Sequence, residues 1–535
     1  MVGAPRLSRR GYLQSTRGKY SPSPSRGLGV ALGESNRVAL LRAISARVWL
    51  CFSILKDPMN VFSLHFLIVF SIYFLCILGI AIFGLRKTHT EDDFLTASRS
   101  IGPWIGGAVL AATQISAGTL VGTVGRHYAT GVSWVWVWLG VWFGWLISAV
   151  FVGPKLREFG AITIPDYLAV RFKSETARAL SAIFIVLGYM ILLVAQYQAC
   201  GVIFQAIFGV KPIYAMMALI LSTLLYTTLG GVRASSYIDF LQIVIVVSGL
   251  LFAVPVLIHD FGGVHLAGEY LTSLDGRLTG WWYNGKQLFG YSLAFGLAMA
   301  AAPYEMVRFY SMRDKATVRY AIGVCFLFQA VIGSCVLLMG VLTRAIFPNL
   351  QSSDQASSIM ALNVLPPFVG SLFVVALISA IMSNVNSILL VASAGLSHDI
   401  YGKTINPRAS ERRRLFLNRV CIVLLSFAPV SFALRRYSDV QSIVVVETRF
   451  LASFFFVPII VGLNSTRGSS ASAIGSMLGG LGGCLVWSIW ASGRATNVDA
   501  VEVGIGVSAA LYFLLAAITR QAPEANLDSS MHSER

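Results

Sequence analysis

Apolar runs of about 20 residues recur along this chain, and they constrain its fold more than any other feature. A helix needs about 20 apolar residues to cross the ~30 Å hydrocarbon core of a membrane. Thirteen such runs are bounded by charged residues, Pro or Gly. They are too long and too uniformly apolar for barrel strands, and open sheet edges would leave backbone groups unpaired in lipid. The sequence therefore predicts an all-α integral membrane protein with 13 transmembrane helices.

The predicted spans lie near 62–85, 104–125, 132–153, 177–208, 213–229, 236–258, 287–303, 320–345, 367–395, 415–435, 443–463, 473–491 and 501–519. Composition agrees with them, because 56% of the 535 residues are apolar and only 12% are charged. Soluble domains carry about 25% charged residues, so a soluble globular chain is excluded. The seven cysteines have no paired spacing and predict neither a disulfide nor a metal site.

Lys and Arg are unevenly distributed between the two sets of alternate connections. One set, which includes the C-terminal segment, carries 21 of them and the other carries 8. Because basic loops stay on the cytoplasmic side, we expect the first span to enter from outside and the C-terminus to be cytoplasmic. The same loops account for the net charge of +17, so we expect a lipid bilayer as partner, no nucleic acid and no obligate protein partner. A plasma membrane is predicted, with the bacterial inner membrane favoured.

Residues 1–58 do not follow the charge rule, since ten are basic, two are acidic and the segment is predicted to lie outside. This extension is a removed targeting segment, a disordered tail or an over-long start, with Met59 as the favoured true beginning. We therefore divide the chain into this extension, a transmembrane domain at 59–520 and a short cytoplasmic tail at 521–535.

Two of the apolar runs are interrupted by small and polar residues. The second run contains Thr113, Gln114 and Ser116 among glycines and alanines, and the seventh contains Gly296 and Pro303. Each is the first of a group of five runs, which is the pattern of a transporter built from inverted repeats. Helices unwound at such positions free backbone groups that can hold an ion and a solute. The alternative is that the small residues only permit close helix packing.

On the ninth run, Ala380, Ser383 and Asn384 have helical spacing, so one carbonyl and two side-chain oxygens can share one face. Neutral oxygens of this kind suit weak sodium binding. Alternatively, the two side chains bond a neighbouring helix or their own backbone.

Ionisable residues within the runs are a further signal. Asp239 lies in the sixth run, Glu305 and Arg308 at the inner end of the seventh, and Glu447 with Arg449 near the outer start of the eleventh. Such residues are costly in lipid unless they face water or a partner. The last four have a simpler alternative, which is that they lie at the membrane interface.

Several stretches carry a family resemblance, and together they run over about residues 59–520. They include EDDFLTASRSIGPW at 91–104, AATQISAGT at 111–119, TTLGGVRASSYIDFLQ at 227–242, APYEMVRFYSMRD at 302–314 and ISAIMSNVNSILLVASAGLSHDIY at 378–401. The chain resembles the sodium/solute symporter family, most closely its proline and pantothenate permease branch. The resemblance implies a LeuT-type 5+5 inverted repeat with two broken helices and an additional first helix.

The resemblance also implies a sodium site. Its ligands would be the backbone oxygens of Ala112 and Ile115, the carbonyl of Ala380, and the side-chain oxygens of Ser383 and Asn384. Relatives have Ser or Thr at the last position, whereas an Asn amide offers an accepting oxygen and an NH2 group that cannot accept.

By the same resemblance, Asp239 belongs to the cytoplasmic sodium route. The solute site would be lined by Gln114, Ser116 and Thr119 from the second helix and by Tyr304 from the seventh. Where the branch has Gly-Gln-Pro-His before the Arg of the seventh helix, this chain has Ala-Ala-Pro-Tyr, so the solute's identity does not carry over.

The expected function is sodium-coupled symport of a small organic acid, amino acid or vitamin into the cell by alternating access. Sodium is the only metal expected. No catalytic residues are predicted and the chain is not expected to be an enzyme, because no nucleophile, base or metal cluster stands out. Proton coupling through Asp239 or Glu305 is the main alternative. A sensory role is less favoured, because only 16 residues follow Thr519.

Overall fold

The computed structural model describes residues 58–86, 91–491 and 498–519, and helices are its only extended regular elements in those ranges. The predicted extension at 1–58 falls almost wholly outside the described residues, and the predicted tail at 521–535 wholly so. The first ten α-helices are α1 (Pro58–Leu85), α2 (Glu91–Thr96), α3 (Pro103–Gln114), α4 (Val124–Thr130), α5 (Val135–Ile147), α6 (Gly153–Phe159), α7 (Ile164–Phe172), α8 (Glu175–Phe208), α9 (Pro212–Phe261) and α10 (Val264–Leu274).

The other ten α-helices are α11 (Gly285–Ala301), α12 (Pro303–Ser311), α13 (Lys315–Ile346), α14 (Ala356–Asn363), α15 (Pro367–Ala394), α16 (Glu411–Phe427), α17 (Val430–Arg435), α18 (Val440–Asn464), α19 (Ser470–Ala491) and α20 (Ala500–Ile518). Wider π-helical turns occupy Gly118–Thr123, Ser148–Val152 and Gly395–Ile405.

Ten segments of the described chain are helical, long and apolar enough to cross a membrane, and Pro212–Thr228 is a shorter apolar helix. The predicted all-α membrane fold is therefore confirmed. The count of 13 crossings stays a prediction, because the interrupted helices are shorter than a full span on each side of their breaks.

Polar caps mark the helix ends that the apolar pattern leaves open. Asn284 and Gln287 form a capping box at the start of α11, and Asp314 accepts the Thr317 N–H at the start of α13 (2.7 Å). Such side chains satisfy backbone N–H groups that have no partner in the first turn. Gly209, with φ of 65°, ends α8 in the left-handed conformation that glycine adopts most easily.

The connection predicted between the fifth and sixth spans is a bend within α9 rather than a loop. Gly231 has φ of 56° and ψ of −157°, while the chain on both sides is helical. A Cβ atom there would lie 2.6 Å from the Phe94 carbonyl oxygen, so only glycine fits without strain. The two predicted spans thus meet end to end.

The ninth apolar run forms the centre of the molecule. In α15, nearly every side chain from Gly370 to Ala394 is buried, although many of them are polar. In α1, by contrast, the large apolar residues Leu64, Ile72 and Leu75 are exposed, as expected of a helix that faces lipid. The run that carries the predicted ion ligands is therefore the one most enclosed by protein.

Close backbone contact joins α5 to α11. A Cβ atom at Gly144 would lie 2.0 Å from the Gly296 carbonyl oxygen, and one at Gly140 would lie 2.1 Å from that of Ser292. Small residues at such crossings let two membrane helices approach closely. The contact holds α11 at the position from which the second broken helix continues.

We expect Gly144→Ala to destabilise the protein by about 1–3 kcal/mol, because the added methyl group would force the two helices apart. The measurement is the midpoint of thermal unfolding in detergent. Gly323→Ala in α13 is the matched control, since a Cβ atom there meets nothing within 4 Å. Equal midpoints for the two variants would contradict the packing argument.

Candidate functional site

The second apolar run is broken near its middle. The helix α3 ends at Gln114, and Ile115 is extended, with φ of −82° and ψ of 105°. Winding resumes near Gly118, where Thr119 N–H and Leu120 N–H both donate to the Ser116 carbonyl oxygen (3.0 and 3.1 Å). The predicted interruption is confirmed.

Side chains from two other helices satisfy the backbone groups freed by this break. The Ala117 N–H donates to Gln196 Oε1 of α8 (3.0 Å), and Asn384 Nδ2 of α15 donates to the Thr113 carbonyl oxygen. Unwound backbone is tolerated at membrane depth only where protein or water provides such partners. The break is therefore held by α8 and α15.

The seventh apolar run is broken as well. The helix α11 ends at Ala301, Ala302 is extended with ψ of 118°, and α12 starts at Pro303. Proline is favoured at the first helical position because its missing N–H needs no partner there. The next N–H, of Tyr304, donates to the hydroxyl oxygen of Tyr189 on α8 (2.8 Å). This interruption is also confirmed.

A cavity lies between the two breaks. The free space between its atoms is about 660 Å³, including the open mouth. The part that can hold the centre of a water molecule is about 80 Å³. Its lining residues are Gln114, Ser116, Gly118, Thr119, Thr123, Trp134, Val137, Trp138, Val141, Leu192, Phe295, Met299, Tyr304, Gln329, Asn384, Gln441, Val444, Glu447 and Thr448. All four predicted solute contacts are among them, so the structure brings those residues together.

The five predicted sodium ligands are all buried, with at most 2% of any of them exposed. Ser383 Oγ donates to Asp239 Oδ1 (2.6 Å). Asn384 Oδ1 has no hydrogen-bond partner, while its Nδ2 is used by the first break. Ser383 and the amide nitrogen of Asn384 thus both bond neighbouring helices, whereas Asn384 Oδ1 does not.

A buried ion pair lies beside these residues. Arg308 Nη2 of α12 donates to Asp239 Oδ2 of α9 (2.8 Å) and to Ser387 Oγ of α15 (2.5 Å). Both charged residues are at most 2% exposed. Arg308 therefore has its acidic partner inside the protein. Ser387, which accepts the second of these hydrogen bonds, was not predicted from the sequence. Its position one helical turn after Ser383 could have indicated that it lies on the same face.

Two other carboxyl groups, those of Glu305 and Glu447, lie behind or in the cavity wall. Gln114 Nε2 donates to Glu305 Oε2 (3.4 Å), and Gln329 Nε2 donates to Gln114 Oε1 (2.7 Å). Glu447 lines the cavity, and Glu305 and Glu447 are only 1% and 2% exposed. Both side chains are therefore enclosed by protein. Arg449 is partly buried and pairs with Asp499.

A separate polar cluster joins α7 and α8 to the turn after α15. His398 Nε2 lies 2.8 Å from Asp166 Oδ2, Arg178 pairs with Asp166 and Asp399, and Thr163 Oγ1 donates to Asp399 Oδ1 (2.8 Å). Burial acts to raise the pKa of Asp166, but His398 and Arg178 outweigh it and lower that pKa to about 2. The carboxylates are thus engaged by cations of the protein, which makes this cluster an ion-pair network rather than a free metal site.

Another ion pair lies next to the cavity, where Arg126 stands 5.6 Å from the ring centre of Trp134. Arg126 Nη2 lies 3.2 Å from Asp439 Oδ1 at the start of α18. Asp354 Oδ2 accepts the Val440 N–H (3.2 Å), and only 4% of Asp354 is exposed. Burial raises the pKa of Asp354 to about 6. An ionised Asp354 is therefore disfavoured in the fold.

Comparison with known proteins gives one consistent result. Residues 94–483 match the sodium:solute symporter family. The osmoregulated proline transporter OpuE of Bacillus subtilis is 25% identical over 87% of this chain and 97% of its own. The sodium/pantothenate symporter of Haemophilus influenzae is 27% identical over 77% and 88%.

Among solved structures, a Na⁺-coupled sialic acid symporter in a substrate-bound, outward-open state superposes with a TM-score of 0.73. The sequences are 14% identical, and the match covers 86% of this chain and 98% of that one. At that identity the likeness shows a shared fold.

We expect Asp354→Asn to stabilise the protein at pH 7 by up to about 3 kcal/mol and to have no effect near pH 4. The pKa of Asp354 is about 6 in the folded protein and near 4 in the unfolded chain. Its carboxyl group therefore lowers the stability of the fold increasingly as pH rises from about 4 through about 6. Thermal unfolding midpoints of variant and parent across that range would measure the difference. The exposed Asp260 provides the control Asp260→Asn, and a gap that stays constant with pH would contradict the expectation.

Proposed function

The chain belongs to the sodium:solute symporter family, and we propose that it carries a small organic solute into the cell together with sodium by alternating access. One observation carries this proposal most directly, which is that two broken helices border a single cavity. In transporters with inverted repeats, ion and solute bind near the bilayer midplane between helices of this kind.

We further propose 13 transmembrane helices, with a 5+5 inverted repeat that begins at the first broken helix. The N-terminus would lie outside and the C-terminus in the cytoplasm, as the distribution of basic residues favours. The membrane would be a plasma membrane, with the bacterial inner membrane favoured.

The proposed sodium ligands are the carbonyl oxygens of Ala112, Ile115 and Ala380, with Ser383 Oγ and Asn384 Oδ1. Two facts support this set. Asn384 Oδ1 is buried without a partner, and the adjacent break exposes carbonyl oxygens that a continuous helix would occupy. Neutral oxygens hold sodium weakly enough to release it.

Asp239 is proposed to act on the cytoplasmic route, because it accepts a hydrogen bond from Ser383 and so lies next to the proposed ion site. The solute is proposed to contact Gln114, Ser116, Thr119 and Tyr304, which line the cavity.

Sodium would couple the two events by joining α3 to α15, which completes the solute site before the bundle rocks. One sodium moving inward across 100 mV releases about 2.3 kcal/mol. A tenfold sodium gradient adds about 1.4 kcal/mol. Together they sustain roughly a 500-fold gradient of a neutral solute, so one ion is sufficient.

Proton coupling is the second candidate, and the burial of Glu305 favours it. A carboxyl enclosed within the membrane can carry a proton between the two sides. Sodium-driven and proton-driven uptake in vesicles separate the candidates, because only one of the two gradients should then support accumulation.

We expect sodium chloride, compared with potassium chloride at equal ionic strength, to raise the thermal unfolding midpoint of the purified protein, since an ion that binds only the folded state stabilises it. In Ser383→Ala, the sodium concentration that gives half of this rise should increase about tenfold, because one ligand oxygen is lost.

Ser379→Ala is the matched control on the same helix, because Ser379 Oγ donates only to the nearby Ala376 carbonyl oxygen (2.9 Å). Identical sodium responses in the two variants would remove Ser383 from the ion site. Equal midpoints in the two salts would count against sodium binding itself.

A further inference from the structure

The described part of the cavity wall contains a carboxyl group and no basic side chain to pair with it. Among the described residues that line it, Glu447 is the sole acidic side chain, and Lys, Arg and His are absent. Glu305 is not part of the lining, but it accepts a hydrogen bond from Gln114 and so lies immediately behind that residue. A solute that enters the cavity therefore meets one acidic side chain and a second one just behind the wall.

Both carboxylates are buried and incompletely bonded. Glu447 Oε1 and Glu305 Oε1 have no hydrogen-bond partner, although 2% or less of either residue is exposed. Buried polar atoms almost always have partners, because an unpaired one loses its bonds to water without replacement. Of the two residues, Glu447 is the one that lines the cavity, so its carboxyl group is the one that a molecule bound there can reach.

Each of the neighbouring basic side chains forms its ion pair with another acid. Arg308 pairs with Asp239 (2.8 Å) and Arg449 pairs with Asp499. Arg126 pairs with Asp439 (3.2 Å). In the described part of the chain, no ion pair joins Glu305 or Glu447 to a basic side chain.

The rest of the cavity wall suits an organic cation. Trp134, Trp138, Phe295 and Tyr304 contribute aromatic rings to the lining. The faces of aromatic rings attract ammonium groups, most strongly where water is excluded. The lining offers no basic side chain to a carboxylate group of the solute, so a net positive charge fits it better than a zwitterion or an anion.

We propose that the transported solute is a small organic cation whose charged nitrogen is held by Glu447, with Glu305 supporting it through Gln114. This inference rests on the proposed function, because it takes the cavity between the broken helices to be the solute site.

The test uses the full chain, purified and reconstituted in vesicles with an inward sodium gradient. Labelled ethanolamine and choline serve as cations, proline as a zwitterion and pantothenate as an anion. At least one of the cations should raise the thermal unfolding midpoint in sodium and be taken up, whereas proline and pantothenate should do neither. Failure of both cations would overturn the inference.

Glu447→Gln keeps the shape of the side chain and removes its charge. We expect it to weaken cation binding by about 10- to 100-fold, because a charge-assisted hydrogen bond is lost, and to leave the sodium response unchanged. Glu305→Gln should have a smaller effect in the same direction. Glu447→Asp retains the charge and should restore part of the binding, which separates charge from folding if Glu447→Gln is unstable. The exposed Glu269 provides the control Glu269→Gln.

The outcomes distinguish this inference from the proposed function. Sodium-driven uptake of proline or pantothenate that Glu447→Gln leaves intact would overturn the inference and leave sodium symport standing. A cation that binds through Glu447 but whose uptake does not depend on the sodium gradient would support the inference and contradict sodium coupling. A third outcome is that protons drive uptake and that Glu447→Gln abolishes this uptake for every solute alike. Glu447 would then be a proton carrier, and its role in cation binding would be overturned.

Discussion

The rest of the site depends on how two stretches of unwound backbone are kept hydrogen-bonded within a membrane. Hydrocarbon offers no partner to a peptide group, so a helix can open only where other side chains replace its internal bonds. Gln196 and Asn384 do this at the first break, and the hydroxyl of Tyr189 does it at the second. Gln196 and Tyr189 both belong to α8, which therefore supports the two breaks from one side. These three side chains thus provide partners for backbone groups at both breaks that border the cavity.

Charge is arranged around this cavity in a similarly constrained way. An isolated ion is costly in the membrane interior. Asp239 and Arg308 reduce this cost by pairing, which joins α9 to α12, and Arg308 also donates a hydrogen bond to α15. Three helices that meet beside the proposed ion site are thereby joined by polar contacts.

Much of this could be predicted from sequence, for identifiable reasons. Length and hydropathy specify membrane helices because the bilayer sets a minimum apolar run. Clusters of small residues that include Gly or Pro predicted the two breaks, since Gly and Pro weaken a helix locally. The partner of Arg308 could not be predicted, because Asp239 lies 69 residues earlier in another run and only tertiary packing brings the two together. The bend at Gly231 was hidden by its Gly-Gly and Arg233 neighbours, which have the composition of a loop.

Asn384 shows how one departure from a family pattern can link the two halves of a site. A hydroxyl at this position has one hydrogen to donate, whereas the amide has separate donor and acceptor atoms. Its Nδ2 is committed to the Thr113 carbonyl oxygen at the first break, while its Oδ1 has no partner and the residue lines the cavity. An ion or solute bound at Oδ1 would therefore act on the same side chain that holds the broken helix to α15. Binding at this atom would then be coupled to the position of that helix through a single rigid amide.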